Sequence, residues 1–82
     1  MKVIIVQTVG LGFGSEIEVY KYSQKRIRQL IKNQIMFEKR YDKEIENEDD
    51  IFEMLNDDND INELCIVTEE YAIHYEVHDV EE

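Results

Sequence analysis

Leu64-Cys65-Ile66-Val67-Thr68-Glu69-Glu70-Tyr71-Ala72-Ile73-His74-Tyr75-Glu76-Val77 is the stretch on which the fold turns. Two runs rich in β-branched and aromatic residues flank a pair of acids, which spells two strands joined by a tight turn at Glu69-Glu70. Leu64 to Thr68 forms the first. In the second, Tyr71, Ile73, Tyr75 and Val77 alternate with Ala72, His74, Glu76 and His78, so the first set faces a core and the second faces away. Residues 78–82 read as a fraying tail.

The start of the chain mirrors this hairpin. Val3 to Val9 is apolar on both faces, as in an interior strand. Gly10-Leu11-Gly12-Phe13-Gly14 breaks it, and Glu16 to Tyr20 alternates as a half-buried strand, giving a second β-hairpin. Between the hairpins, Ser23 is a sound N-cap for a helix from about Gln24. Ile27, Leu30, Ile31 and Ile35 form its apolar face, beside a basic flank of Lys25, Arg28, Lys32 and Lys39. Its end is ambiguous. Tyr41 and Ile45 keep the helical phase, whereas residues 35–45 also alternate as a strand would; helix to about Arg40 is favoured. Asn47 can cap a second helix from Glu48 to about Asn56, with Glu48, Asp49 and Asp50 in the first turn, where the helix dipole favours acids. Residues 57–60 form a loop. The order ββααββ predicts a single α+β domain over residues 1–82, an antiparallel four-stranded sheet with one or two helices on one face. A ubiquitin-like β-grasp is the nearest alternative and fits the close final hairpin poorly.

Charge divides the chain. Its 82 residues carry −11 overall, but residues 1–40 are net +5 and residues 41–82 net −16. Such asymmetry points to an electrostatic partner, or to the two halves facing each other. The single cysteine, Cys65, excludes an internal disulfide and reads as a small buried hydrophobe. The N-terminal apolar run is too short for a signal peptide and no segment approaches a membrane span, so a cytosolic protein is expected.

Several familiar chemistries fail on spacing. Gly10, Gly12 and Gly14 match neither the dinucleotide fingerprint nor a Walker loop, and a strand rather than a helix follows them. Leu11 and Phe13 at this tip keep open an inserting contact with a partner. Asp58 to Glu69 has the length of a calcium loop but carries Glu63 where the turn glycine belongs. His74 and His78 stand roughly 13 Å apart along a strand at ~3.3 Å per residue, too far to share a metal. No nucleophile has a recognisable partner. The expectation is a non-enzyme with no catalytic residues, no metal and no cofactor. Phosphate backbones would be repelled by the second half, so direct nucleic-acid binding is not expected.

What remains is the acidic segment Asp42 to Glu63, with Lys43 its one base and Ile45, Ile51, Phe52, Met54, Leu55 and Ile61 threaded through it. Acids at helical and strand spacings of ~5–7 Å approximate successive phosphates of one nucleic-acid strand. Asp49, Asp50, Glu53, Asp57, Asp58 and Asp60 are the expected partner-binding residues.

With Glu69, Glu70 and Glu76 beyond it, this segment resembles, in size, charge and mixed α+β pattern, the small acidic inhibitors encoded by bacteriophages, including anti-CRISPR and anti-restriction proteins. The resemblance is one of type, covers about half the chain and rests on no specific motif. It implies a non-enzymatic inhibitor that occupies the basic, nucleic-acid-binding surface of a larger bacterial protein, and the net-basic first half departs from the simplest such mimic. Two other readings stand beside it: a self-associating structural domain, with a homodimer joined through the basic flank and the acidic segment, and an immunity or antitoxin-like protein neutralising a basic toxin.

Overall fold

The computed structural model describes residues 1–10 and 14–81. Leu11 and Phe13, the expected inserting pair, lie outside the described residues. The elements run β1 (Lys2–Gly10), β2 (Glu16–Lys21), α1 (Gln24–Arg40), α2 (Glu48–Asn56), β3 (Glu63–Val67) and β4 (Tyr71–Asp79). The four strands form one antiparallel sheet in the order β2-β1-β4-β3. This is the ββααββ α+β domain that the sequence predicts.

Register explains the layering. Ile4, Val6 and Thr8 of β1 stand beside Val77, Tyr75 and Ile73 of β4, and Tyr75 and Ile73 stand beside Leu64 and Ile66 of β3. This face carries the core, in which Ile27, Ile31 and Ile35 of α1 and Ile51 of α2 join the sheet residues. The opposite face carries Val3, Ile5, Val9, Ile17, Val19 and Ala72, and no helix among the described residues packs its core side chains there. Overall extents of 40 × 32 × 17 Å match two layers, one sheet and one layer of helices.

Helix ends follow local chemistry. The Ser23 hydroxyl accepts from the Arg26 N–H at 2.9 Å, the expected cap. At the other end, Asp42 takes a left-handed φ of 56°. Its N–H donates to Lys39 O at 3.1 Å and the Lys43 N–H to Glu38 O at 2.9 Å. That pair of bonds is a Schellman closure made without glycine, and it stops α1 although the apolar phase runs on to Tyr41 and Ile45. Ile45 instead forms an isolated bridge to Thr68 beside β3.

Two expectations need correction. Asn47 occupies the N-cap position of α2 but makes no capping bond with its side chain. Its carboxamide is spent on β3, donating to Cys65 O at 2.6 Å and accepting from the Val67 N–H at 3.1 Å. The fraying expected from residue 78 starts too early. His78 and Asp79 are strand residues opposite Val3 and Lys2, and the Val80 N–H donates to Met1 O at 2.7 Å.

Candidate functional site: an acidic ridge on a fastened platform

The segment from Asn47 to Ile61 is tied to the domain at both ends. Asn47 clamps its start to β3, and Ile51 is buried. At the far end, the Arg28 guanidinium donates to Leu55 O at 2.8 Å, Asp57 O at 3.1 Å and Asn59 O at 2.7 Å. Carbonyls at a helix C-terminus lack partners and carry partial negative charge, so a cation there satisfies both needs. Gln24 completes the fastening, accepting from the Ile61 N–H at 2.8 Å and donating to Ile61 O at 2.9 Å. Within the loop, the Asp57 carboxylate accepts from the Asn59 N–H at 3.0 Å, an Asx turn.

Asp49, Asp50, Glu53, Asp57, Asp58 and Asp60 are all exposed on this platform. Among the described residues none of the six forms an ion pair; the acids that do are Glu48 with Lys39 and Glu70 with Lys43, while Glu76 is hydrogen-bonded to His78. The fold also adds acids that sequence reasoning left out of the site. A concavity of about 460 Å³ is lined by Asp42, Lys43, Glu44, Glu46, Thr68, Glu69 and Glu70. A second, of about 390 Å³, shares Glu44 and Glu46 and continues to Glu48, Asp49 and Asp50. The β3–β4 turn is therefore brought beside the start of α2, and the acidic surface runs from Glu70 past Asp50 and along α2 to Asp60. The run of acids in the sequence pointed to this surface; only the strand pairing joins Glu69 and Glu70 to it.

Arg28, Lys32 and Lys39 of α1's basic flank are turned toward this segment. Arg28 holds backbone carbonyls, as above. Lys39 pairs with Glu48 at 2.5 Å and lies 5.2 Å from the Phe52 ring centre. Lys32 borders an apolar groove of about 420 Å³ with Ile35, Met36, Phe52 and Leu55. Pairing of flank and acidic segment is thus internal for Arg28 and Lys39.

Elsewhere, titratable groups serve the fold. Glu38 is fully buried, and one of its carboxylate oxygens accepts from the Gln34 amide and the Tyr71 hydroxyl. Burial and this bond push the Tyr71 hydroxyl far above its ordinary range, and burial does the same for Tyr75. The Cys65 thiol sits 3.9 Å from His74 Nε2. Burial raises its pKa, which disfavours the thiolate a nucleophile requires. No group of three or more metal-binding side chains is assembled among the described residues. No helix in them is long and apolar enough to cross a membrane. Comparison with protein-family models, curated proteins and solved structures finds no match.

Proposed function

We propose that the chain is a non-enzymatic binding module that lays its acidic ridge on a basic, nucleic-acid-binding surface of a larger bacterial protein, such as a CRISPR or restriction effector. The observation that carries this reading is that Asp49, Asp50, Glu53, Asp57, Asp58 and Asp60 are exposed and, among the described residues, free of ion pairs on a backbone fastened by Asn47, Arg28 and Gln24. A preorganised array loses little conformational freedom on docking. Its field steers association with a basic cleft over a distance set by ionic strength. Arg28 and Lys39 are engaged within the chain, which weakens the alternative in which the basic flank grips a neighbour's acids.

Capture from bacterial lysate on the immobilised protein tests the proposal. A nucleic-acid-processing enzyme should be retained at low salt, released at high salt and displaced by added DNA or RNA. Retention indifferent to both salt and nucleic acid would exclude this mode of binding.

A further inference from the structure

The two outer strands of the sheet are treated differently. Along β3, the Glu46 N–H donates to Val67 O at 2.8 Å, and Asn47 takes Cys65 O and the Val67 N–H. The Cys65–Val67 part of that edge is covered. Along β2, the Tyr22 N–H donates to Lys2 O at 3.3 Å. Antiparallel strands alternate hydrogen-bonded and unbonded pairs, so Tyr20 and Glu18 also direct their backbone groups to β1. Ile17, Val19 and Lys21 then direct theirs to the open edge. The side chains of Ile17 and Val19 are 62% and 61% exposed on the helix-free face. An open edge carrying exposed β-branched residues is a template for another strand.

We infer that the strand it takes is β2 of a second copy of this chain, paired antiparallel about a two-fold axis at Val19 so that the two sheets become one. The register follows from charge. Residues opposed across such an axis share a face, so the centre must fall on a residue. Centred on Glu18, two carboxylates meet directly; centred on Ile17, Glu16 meets Glu18; like charges directly opposed are destabilising. Centred on Tyr20, only Val19 to Lys21 overlap within the strand. Centred on Val19, the overlap extends from Ile17 to Lys21. Val19 meets Val19, Ile17 meets Lys21, and Glu18 meets Tyr20, whose hydroxyl it already accepts within the chain. Ile17, Val19 and Lys21 are also the residues whose backbone groups, among the described residues, point away from β1.

This edge belongs to the base-rich half of the sequence, whereas the acidic ridge lies beside β3 at the opposite edge. The dimer therefore leaves a ridge free at each end. Two chains of −11 repel at low salt, so screening strengthens this association, whereas it would weaken a dimer of basic flank on acidic segment.

Sedimentation velocity of the full chain tests it at concentrations up to about 1 mM and at about 0.05 and 0.5 M salt. The wild type should show a dimer whose fraction rises with salt. Val19→Pro removes an outward N–H and no ladder bond of the monomer, and should be monomeric with an unchanged circular dichroism spectrum. Should that variant fail to fold, Val19→Lys sets two ammonium groups face to face and gives the same readout. In a Cys65→Ala background, Val19→Cys should cross-link on mild oxidation, since opposed bonded residues have Cα atoms ~5.5 Å apart. Ile17→Cys should not, its copies being ~13 Å apart along the strand. A monomeric wild type at both salts, a dimer that survives Val19→Pro or Val19→Lys, or cross-linking through Ile17 in place of Val19 would overturn the proposal.

Discussion

Replacing Arg28 by alanine should loosen the acidic ridge more than any other single truncation on α1's basic flank. The guanidinium donates to three carbonyls, at 2.8, 3.1 and 2.7 Å. Hydrogen bonds from a charged donor contribute ~1.5–3 kcal/mol each when shielded. Here only the bond to Leu55 is partly buried; the carbonyls of Asp57 and Asn59 can turn to water. Counting the shielded bond and the favourable cation at a helix C-terminus gives about 2 kcal/mol. For a domain of this size that lowers the melting temperature by about 8–16 °C. Arg28→Lys keeps the charge but reaches fewer carbonyls, because the planar fork is lost, and should fall between. Thermal melts followed by circular dichroism give the size of the loss, and amide exchange gives its place. Protection should drop first from Asp57 to Ile61, ahead of the sheet. An Arg28→Ala melt within about 2 °C of wild type would refute the clamp, as would exchange rising uniformly over the chain.

Asn47→Ala should cost about 1–2 kcal/mol in a urea melt, because it unpairs Cys65 O and the Val67 N–H. It should also raise the tendency to aggregate, since it bares the β3 edge; an unchanged midpoint would show the clamp to be idle. Asp42→Gly should raise stability by about 1 kcal/mol, because glycine enters the left-handed region without the penalty of a Cβ, and differential scanning calorimetry reads the shift directly. Alkaline pH should destabilise the fold through Tyr71 and Tyr75. Both hold their protons above the ordinary value of 10.0, so the stability they confer is intact below that pH and is lost as pH rises past it. Urea midpoints should therefore hold below pH 10.0 and fall progressively as pH rises above it, and fall less in Tyr75→Phe; equal losses in the two proteins would remove Tyr75 from the explanation.

The elements were legible because their signals are local. Apolar β-branched runs followed by alternating strands set both hairpins, Ser23 and the isoleucine phase set α1, and the acids of the first turn helped set α2 at Glu48–Asn56. The ties that position the site were not legible. Gln24 meets Ile61 across 37 residues and Asn47 meets Cys65 across 18, and no periodicity reports a side chain bonded to distant backbone. Asn47 looked like a cap because caps and strand clamps draw on the same amide. Glu38 was readable in principle. It continues the phase of Ile27, Ile31 and Ile35 into the core, where a carboxylate needs donors; Gln34 and Tyr71 supply them to one oxygen, and the other is buried with no partner among the described residues. The reach of the ridge to Glu69 and Glu70 depended on how the β3–β4 hairpin lies against residues 42–46, which is tertiary information.

The most direct measurement compares wild type with the Asp50→Lys, Glu53→Lys, Asp57→Lys triple variant in quantitative capture from bacterial lysate, each first verified as folded by circular dichroism. All three positions are exposed, and the one side-chain bond given up, from the Asn59 N–H to Asp57, lies in an exposed loop, so the reversal should leave the fold intact. If the ridge is the docking surface, the nucleic-acid-processing proteins retained by the wild type disappear from the variant. Equal retention of the same proteins by both would contradict it.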